Sequence, residues 1–169
     1  MKYLIPAGLV VLAALIFLRG SEEDRILARL EALRALVEIR GQQSTIKQAT
    51  VARQIGEYFS EQTRFDLTGL GYQIVEIPSR RELVRKVLQG RAALASLELG
   101  FDRPGLNVEG DSASVAVTGS ALGTLRERSG QFLDIHRVEI TLRKEDDEWQ
   151  ITGGRHIRDE RTLNDSRSD

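Results

Sequence analysis

The spacing of apolar residues divides the chain into an uninterrupted apolar segment, a helical part and a strand-rich part. Residues 3–18 (YLIPAGLVVLAALIFL) carry no charge. Over residues 21–90 apolar side chains recur every three or four positions, and from Ala93 onwards they alternate with polar ones. The first period is typical of an amphipathic helix and the second of a half-buried strand. The pattern therefore predicts an α+β chain in which the helices come first.

The N-terminal apolar segment predicts membrane targeting. Its sixteen residues at about 1.5 Å rise make about 24 Å, less than the ~30 Å hydrocarbon core, so spanning requires Lys2 and Arg19 to reach towards the headgroups. A cleaved signal peptide is the alternative, but cleavage after Gly20 places Leu18 at the −3 position, where small residues are preferred. We therefore expect residues 1–20 to form a retained signal anchor.

Two opposing signals bear on the orientation of this anchor. Several arginines follow the apolar segment closely, among them Arg19, Arg25 and Arg29, and the positive-inside rule places such residues in the cytoplasm. A head of only two residues before the segment is instead typical of an export signal. We expect export to prevail, which predicts a single-pass protein of the bacterial inner membrane with its domain facing the periplasm.

Three helices are predicted after the anchor. The first is opened by the capping pattern of residues 21–24 and closed by Gly41. The second covers about residues 44–60, and the third begins with a Ser-x-x-Glu capping box at Ser79 and ends near Gly90. The apolar stripe of the first helix is broad, which favours packing on a core. A dimerising coiled coil is the alternative, although it needs more heptads than this helix has.

The remainder of the chain predicts strands joined by tight turns. Extended segments are expected at residues 65–67 and 72–77, before the third helix. After that helix, alternating apolar positions predict an antiparallel meander through residues 93–99, 106–108, 113–117, 138–142 and 149–151. One α+β domain over residues 21–157 is therefore expected. Residues 158–169 are polar and predict a frayed tail.

The element order and the terminal hairpin VEITLRKEDDEWQI of residues 138–151 resemble the nuclear transport factor 2-like superfamily, also called SnoaL-like or cystatin-like. The stretch SEEDRILARLEALRALVE directly after a short anchor resembles membrane-anchored bacterial members of that superfamily. The resemblance implies three helices packed on a strongly bent antiparallel β-sheet that leaves a conical pocket. Some members use this pocket as isomerases or dehydratases and others only for binding, so the fold does not assign the function.

Composition excludes several classes of function. The chain of 169 residues has 24 basic and 25 acidic side chains, for a net charge of −1, so the electrostatic attraction of a nucleic-acid binder is missing. It has no cysteine, which excludes disulfides, thiolate metal sites and a cysteine nucleophile. It also has no phosphate-loop, dinucleotide or nucleophile-elbow motif. We expect no nucleic-acid partner and no cofactor.

Asp134 and His136 are the weak catalytic candidates of the sequence. In a strand that points Val138, Ile140 and Leu142 inward, the period of two places both residues on the same inward face. A carboxylate beside an imidazole there could serve as an acid/base pair. In the alternative interpretation both side chains lie at the solvated mouth of the pocket and have no catalytic role.

The other chemistry-bearing residues predict structure rather than a site. His156 follows a break at Gly153-Gly154 and has no partner at metal-ligand spacing, so no metal is expected. The basic run of the third helix predicts a solvated face supported by a Glu82–Lys86 pair, with contact to anionic lipid headgroups as the alternative. That run consists of Arg80, Arg81, Arg85 and Lys86. Four aromatic residues are expected in the core, namely Tyr58, Phe59, Phe101 and Trp149.

The short connection between anchor and domain shapes the functional prediction. Only Arg19 and Gly20 separate the apolar segment from the first helix, which keeps a tethered domain at the membrane surface. We therefore predict a membrane-tethered, non-enzymatic module, anchored through residues 3–18, that binds an envelope protein, a lipid or a small apolar ligand and forms a homodimer. The alternatives are an isomerase, dehydratase or hydrolase using Asp134 and His136, and a structural subunit of an envelope complex.

Overall fold

The computed structural model describes residues 21–102, 104–127 and 130–157. Its helices are α1 (Glu22–Val37), α2 (Thr45–Gly56) and α3 (Arg80–Ala93), with a 3-10 turn at Thr68–Leu70. Its strands are β1 (Phe59–Asp66), β2 (Ile74–Ile77), β3 (Leu94–Phe101), β4 (Gly105–Glu109), β5 (Ser112–Leu125), β6 (Gln131–Glu145) and β7 (Glu148–His156). The predicted α+β class and the three helices are confirmed.

The predicted anchor and tail, residues 1–20 and 158–169, lie outside the described residues. Within the described ranges, no helix combines the length and the apolar character needed to cross a membrane. Membrane insertion, orientation and localisation therefore stay predictions.

The strands form one mixed sheet in the order β2-β1-β7-β6-β5-β3, with β4 also paired to β5. The meander β5-β6-β7 is antiparallel as predicted, but β1 pairs with β7 in parallel. The prediction of a wholly antiparallel sheet is wrong at this pair. The second helix ends at Gly56 instead of Ser60, and β1 begins at Phe59. Because β1 is largely polar (FSEQTRFD), its period of two is too faint to separate it from the helix before it.

The Gly153-Gly154 pair does not break the last strand, contrary to the sequence-based prediction, because β7 continues through it to His156. A Cβ atom on Gly153 would overlap the backbone carbonyl of Arg64 in β1, and one on Gly154 would press on the carbonyl oxygen of Glu139 in β6. The two glycines therefore let the neighbouring strands approach β7 closely from both sides.

The main core lies between α1 and the sheet. Its buried residues are Ile26, Ala113, Val115, Leu142, Trp149 and Ile151. Trp149 is 2% exposed, and its indole Nε1 donates a hydrogen bond of 2.6 Å to Oε2 of Glu22. Lys144 also donates to Glu22, at 3.1 Å. These contacts tie the first turn of α1 to the β6–β7 hairpin.

The aromatic residues occupy three different environments. Trp149 is in the core as predicted, and Phe59 packs against that core. Tyr58 is half-buried under the Arg29 guanidinium, whose carbon lies 4.6 Å from the ring centroid. The prediction for Phe101 is wrong, because this residue is 45% exposed. It ends β3 just before the turn into β4, at the end of the strand.

The outer edge of β3 is covered by the chain that leaves α1. The helix ends at Val37, not at the predicted Gly41, because Ile39 is extended and forms a two-way backbone bridge with Leu97. Beyond that bridge, Oε1 of Glu38 accepts the amide of Leu99 at 3.2 Å. The Arg34 guanidinium donates to the Leu99 carbonyl at 3.1 Å. Two side chains thus replace the hydrogen bonds of a neighbouring strand.

Replacing Glu38 by glutamine is expected to lower the free energy of unfolding by about 1–3 kcal/mol near neutral pH, because a buried charged acceptor is lost. The Leu99 amide, with the guanidiniums of Arg40 and Arg34, holds the pKa of Glu38 below its ordinary value. When the pKa of a carboxyl group is lower in the folded protein than in the unfolded chain, the group stabilises the fold at pH values above the unfolded-state pKa. That stabilisation is lost as the pH falls through the folded-state pKa. Urea unfolding should therefore show the two proteins converging below about pH 4.

Glu31 supplies the matched control for Glu38. It also pairs with Arg34 but its side chain is 61% exposed, so Glu31→Gln should cost much less stability. Equal losses from Glu31→Gln and Glu38→Gln would contradict the role assigned to Glu38.

Candidate functional site

Strand register assigns the face on which each candidate residue lies. In the β5–β6 pair, Val117 is opposite Val138, Gly119 is opposite His136 and Ala121 is opposite Asp134. No bulge interrupts this register, so Asp134 and His136 share the inner face that carries the buried Val115 and Val117. The same-face prediction is confirmed, whereas their catalytic role stays a prediction.

A cavity of about 290 Å³ opens on this inner face, between α1 and the sheet. Its lining is almost entirely hydrocarbon. The lining residues are Leu27, Leu30 and Glu31 from α1, Phe101 and Pro104 from the β3–β4 edge, and Val115, Val117 and Ile140 from the central strands. This volume is just below the ~300–1,000 Å³ range of small-molecule sites, which are mostly apolar.

Glu31 is the single ionisable residue of that lining. Its carboxylate binds the Arg34 guanidinium at 2.5 Å, and this hydrogen bond lowers the pKa of Glu31. The carboxylate is therefore held ionised at the rim and is already engaged. It is better suited to orient the polar end of a ligand than to accept a proton from it.

Two histidines meet on the same inner face, further along β6 and β7. The rings of His136 and His156 lie edge to face with their centroids 5.5 Å apart. Nδ1 of His156 is enclosed and has no hydrogen-bond partner among the described residues. Gly69, in the 3-10 turn, lies directly against this atom and leaves no room for a side chain. The turn therefore closes over His156.

The structure brings His136 to His156 and leaves Asp134 apart. Asp134 is exposed and forms no hydrogen bond or ion pair with any residue that the structure describes. The sequence analysis considered His156 only as a metal ligand and did not pair it with His136, because the Gly153-Gly154 pair was interpreted as a break before it. In the observed register Val138 is opposite His156, so His136 is its diagonal neighbour on one face.

Comparison with solved structures shows which known fold this architecture resembles. A protein from Kribbella flavida (Kfla4162) superposes with a TM-score of 0.65 at 10% identity, covering 81% of this chain and 90% of that one. An NTF2-like protein with a cystatin-like fold from Novosphingobium aromaticivorans gives 0.59 at 13% identity, covering 86% of each chain. The fold is NTF2-like. A candidate scytalone dehydratase from the same organism gives 0.63 at 10% identity, covering 80% of this chain and 82% of that one.

At these identities the likeness concerns the NTF2-like fold alone. No protein-family model matches the sequence, and no curated protein matches it. The neighbours include an aromatic ring hydroxylase candidate as well as the dehydratase candidate, so an NTF2-like cone is compatible with either an enzyme or a binding module. Whether this chain is an enzyme or a binding module therefore depends on its own residues.

Within the described part of this NTF2-like cone, no three histidine, aspartate or glutamate residues are grouped so as to hold a metal ion. The histidine pair contributes two ring nitrogens on one face, and metal sites in proteins ordinarily use three or four ligands. The inner face therefore offers an apolar cavity and a pair of imidazoles as two separate features.

Proposed function

We propose that the protein is a membrane-tethered NTF2-like module that binds a small, mainly apolar ligand in the cavity between α1 and the sheet. The observation that carries this proposal is the lining of the cavity, in which seven of the eight residues are apolar. Transfer of apolar surface from water into such a site is favourable by roughly 25 cal/mol per Å². A ligand with one polar end would point it at the rim, where Glu31 and Arg34 lie.

The tether is supported by the sequence and by how α1 begins. Residues 3–18 are uncharged, and only Arg19 and Gly20 separate them from Ser21, which caps α1 by accepting the Asp24 amide. The first turn is then fixed to the hairpin through Glu22 and Trp149. A segment inserted in the inner membrane would thus hold the folded body at its surface on the periplasmic side. Ligands that partition into the bilayer would reach the cavity from there.

Filling the mouth of the cavity is expected to weaken ligand binding. Leu27 lines the cavity and is 37% exposed, so a larger side chain can replace it without disrupting the core. The variant Leu27→Trp should lower the affinity for an apolar fluorescent probe such as N-phenylnaphthylamine by at least about tenfold. Such a change requires the loss of only about 1.4 kcal/mol of the binding free energy that comes from burying the probe. Fluorescence titration of the full chain in detergent-free vesicles measures it.

Leu122→Trp is the matched control, since Leu122 is 39% exposed and lies on the opposite face of β5 from the cavity. It should retain wild-type affinity. A wild-type protein that does not bind the probe, or a Leu122→Trp variant that loses affinity as Leu27→Trp does, would contradict the binding proposal.

A second candidate function rests on the histidine pair. Two imidazoles in contact, one with an enclosed and unpaired Nδ1, can pass a proton between a buried group and a substrate, because imidazole both donates and accepts. This supports an acid/base enzyme that uses His136 and His156, with Asp134 at the entrance. Ligand recovered from the wild-type protein would then be chemically altered, and ligand recovered from a His136→Gln variant would be unaltered.

A further inference from the structure

A second concavity, separate from the inner face of the sheet, lies between α2 and α3. This groove has a volume of about 540 Å³. Ala49, Val84 and Leu88 supply its apolar part, and the guanidinium-bearing residues Arg53, Arg81 and Arg85 stand around it. An apolar floor surrounded by arginines suits a ligand that joins an anionic group to hydrocarbon.

Two of the three arginines around the groove form no hydrogen bond or ion pair with any described residue. Arg85 is held by Glu82 at 2.5 Å. Arg53 and Arg81 are exposed and form no hydrogen bond or ion pair with any described residue. The helices α2 and α3 together contain seven basic residues and one acidic residue, in a chain whose net charge is −1. The exposed surface of these two helices therefore carries a net positive charge.

The arginine-bearing end of α2 adjoins the middle of α1. Arg29, eight residues and thus about 12 Å along α1 from Ser21, donates at 2.8 Å to the carbonyl of Glu57, directly after α2. Arg53 is one helical turn before Glu57. At the start of α3, the guanidinium of Arg80 donates at 2.9 Å to the carbonyl of Phe59. These contacts bring the end of α2, beside Arg53, close to the start of α3, beside Arg81.

The N-terminal end of α1 itself is acidic. Glu23 and Asp24 in the first turn and Asp146 and Asp147 in the β6–β7 turn are all exposed. An anionic membrane surface repels these carboxylates and attracts the arginines of the groove. This asymmetry favours an orientation in which α2 and α3 face the lipid.

We propose that the α2–α3 groove binds the phosphate of an anionic phospholipid headgroup. The proposal rests on the membrane tether of the proposed function. The guanidiniums of Arg53 and Arg81 pair with the phosphate oxygens in the fork geometry that arginine provides. The glycerol and upper acyl carbons lie on Ala49, Val84 and Leu88. Each of the two arginines strengthens the contact with an anionic surface by about fivefold.

A headgroup-quenching experiment on the full chain tests this contact. Because the chain has no cysteine, Gln54→Cys places one fluorophore on the exposed side of α2, beside Arg53. Vesicles of phosphatidylcholine, with or without phosphatidylglycerol, carry a nitroxide on some headgroups. We expect several-fold stronger quenching with phosphatidylglycerol, and its loss in an Arg53→Gln/Arg81→Gln variant.

The matched control is Arg126→Gln/Arg143→Gln, which removes the same charge from two exposed positions outside the groove and should keep the wild-type quenching. Equal quenching on both vesicle types, insensitivity to Arg53→Gln/Arg81→Gln, or an equal loss in the control would overturn the proposal. Loss of the phosphatidylglycerol effect in millimolar inorganic phosphate would identify a free-phosphate site and also overturn it.

Flotation separates this proposal from the tether on which it rests. Binding to pure phosphatidylcholine vesicles at high salt reports insertion of residues 3–18, because electrostatic contacts are screened there. If flotation fails, the tether is wrong, and the phosphatidylglycerol comparison still decides the groove. If flotation succeeds and the quenching does not depend on Arg53 and Arg81, only the groove proposal is wrong.

Discussion

Replacing Gly153 by alanine is expected to lower the free energy of unfolding by at least about 4 kcal/mol, an exceptional loss for a single methyl group. The added Cβ would overlap the backbone carbonyl of Arg64. A backbone atom cannot turn away as a side chain can, so β1 must separate from β7 or the strand must distort. Either outcome breaks the parallel pair that joins β1 and β2 to the rest of the sheet. Urea unfolding followed by tryptophan fluorescence measures the loss.

Gly90→Ala is the matched control for this substitution. Gly90 lies in α3, and a Cβ atom added to it would have no neighbouring atom within 4 Å. Alanine is also the better helix former by roughly 1 kcal/mol. Gly90→Ala should therefore leave the domain equally stable or raise its stability slightly. A Gly153→Ala protein that unfolds at the wild-type urea concentration would refute the close β1–β7 contact.

Replacing Arg91 by alanine is expected to cost about 3–5 kcal/mol of stability, in the range measured when one partner of a buried polar network is removed. Arg91 is 5% exposed. Its guanidinium donates to the carbonyls of Leu36 and Val37 at the end of α1, at 3.1 and 2.8 Å, and to the side chain of Gln43. Removing it leaves helix-end carbonyls buried without donors and empties the space of a long side chain.

Two further variants make the Arg91 measurement specific. Lys86→Ala, on the exposed part of the same helix, should change stability by less than about 0.5 kcal/mol. Arg91→Lys should fall between wild type and Arg91→Ala, because an ammonium can reach one carbonyl but cannot span both. An Arg91→Ala loss as small as that of Lys86→Ala would show that other donors satisfy the end of α1.

Local signals in the sequence predicted the beginnings of the helices and the central strands. Ser21, Ser44 and Ser79 cap the three helices by accepting the amides of Asp24, Lys47 and Glu82. These bonds span three residues, so the sequence contains both partners. The alternation through Ala113 and Val117 is likewise local, since one side of β5 faces the core.

Features set by distant contacts could not be predicted in the same way. The end of α1 at Val37 depends on a bridge to Leu97, sixty positions away from the helix end, although Gly41 was the better local stop signal. The parallel placement of β1 depends on the bare backbone at Gly153. In the sequence that glycine pair is indistinguishable from a turn.

In the candidate site, too, the features set by local sequence could be predicted and those set by distant contacts could not. Strand parity alone placed Asp134 and His136 on one face, and the register confirms it. The partner of His136 is His156 on the next strand, which a parity argument within one strand cannot reveal. The cavity and the α2–α3 groove arise from the packing of helices on the sheet and on each other, so their linings combine residues from distant parts of the chain.

The cover over β3 has a consequence for solubility in acid. Protonation of Glu38 removes the charge that holds Arg34 and Arg40 over the strand. The amide of Leu99 is then left with a weaker, neutral acceptor, and the part of β3 beyond the Ile39 bridge becomes more open to the addition of a strand from another chain. We expect acidified protein to aggregate by strand addition before it unfolds completely, so that Glu38 acts as a gatekeeper against fibril growth.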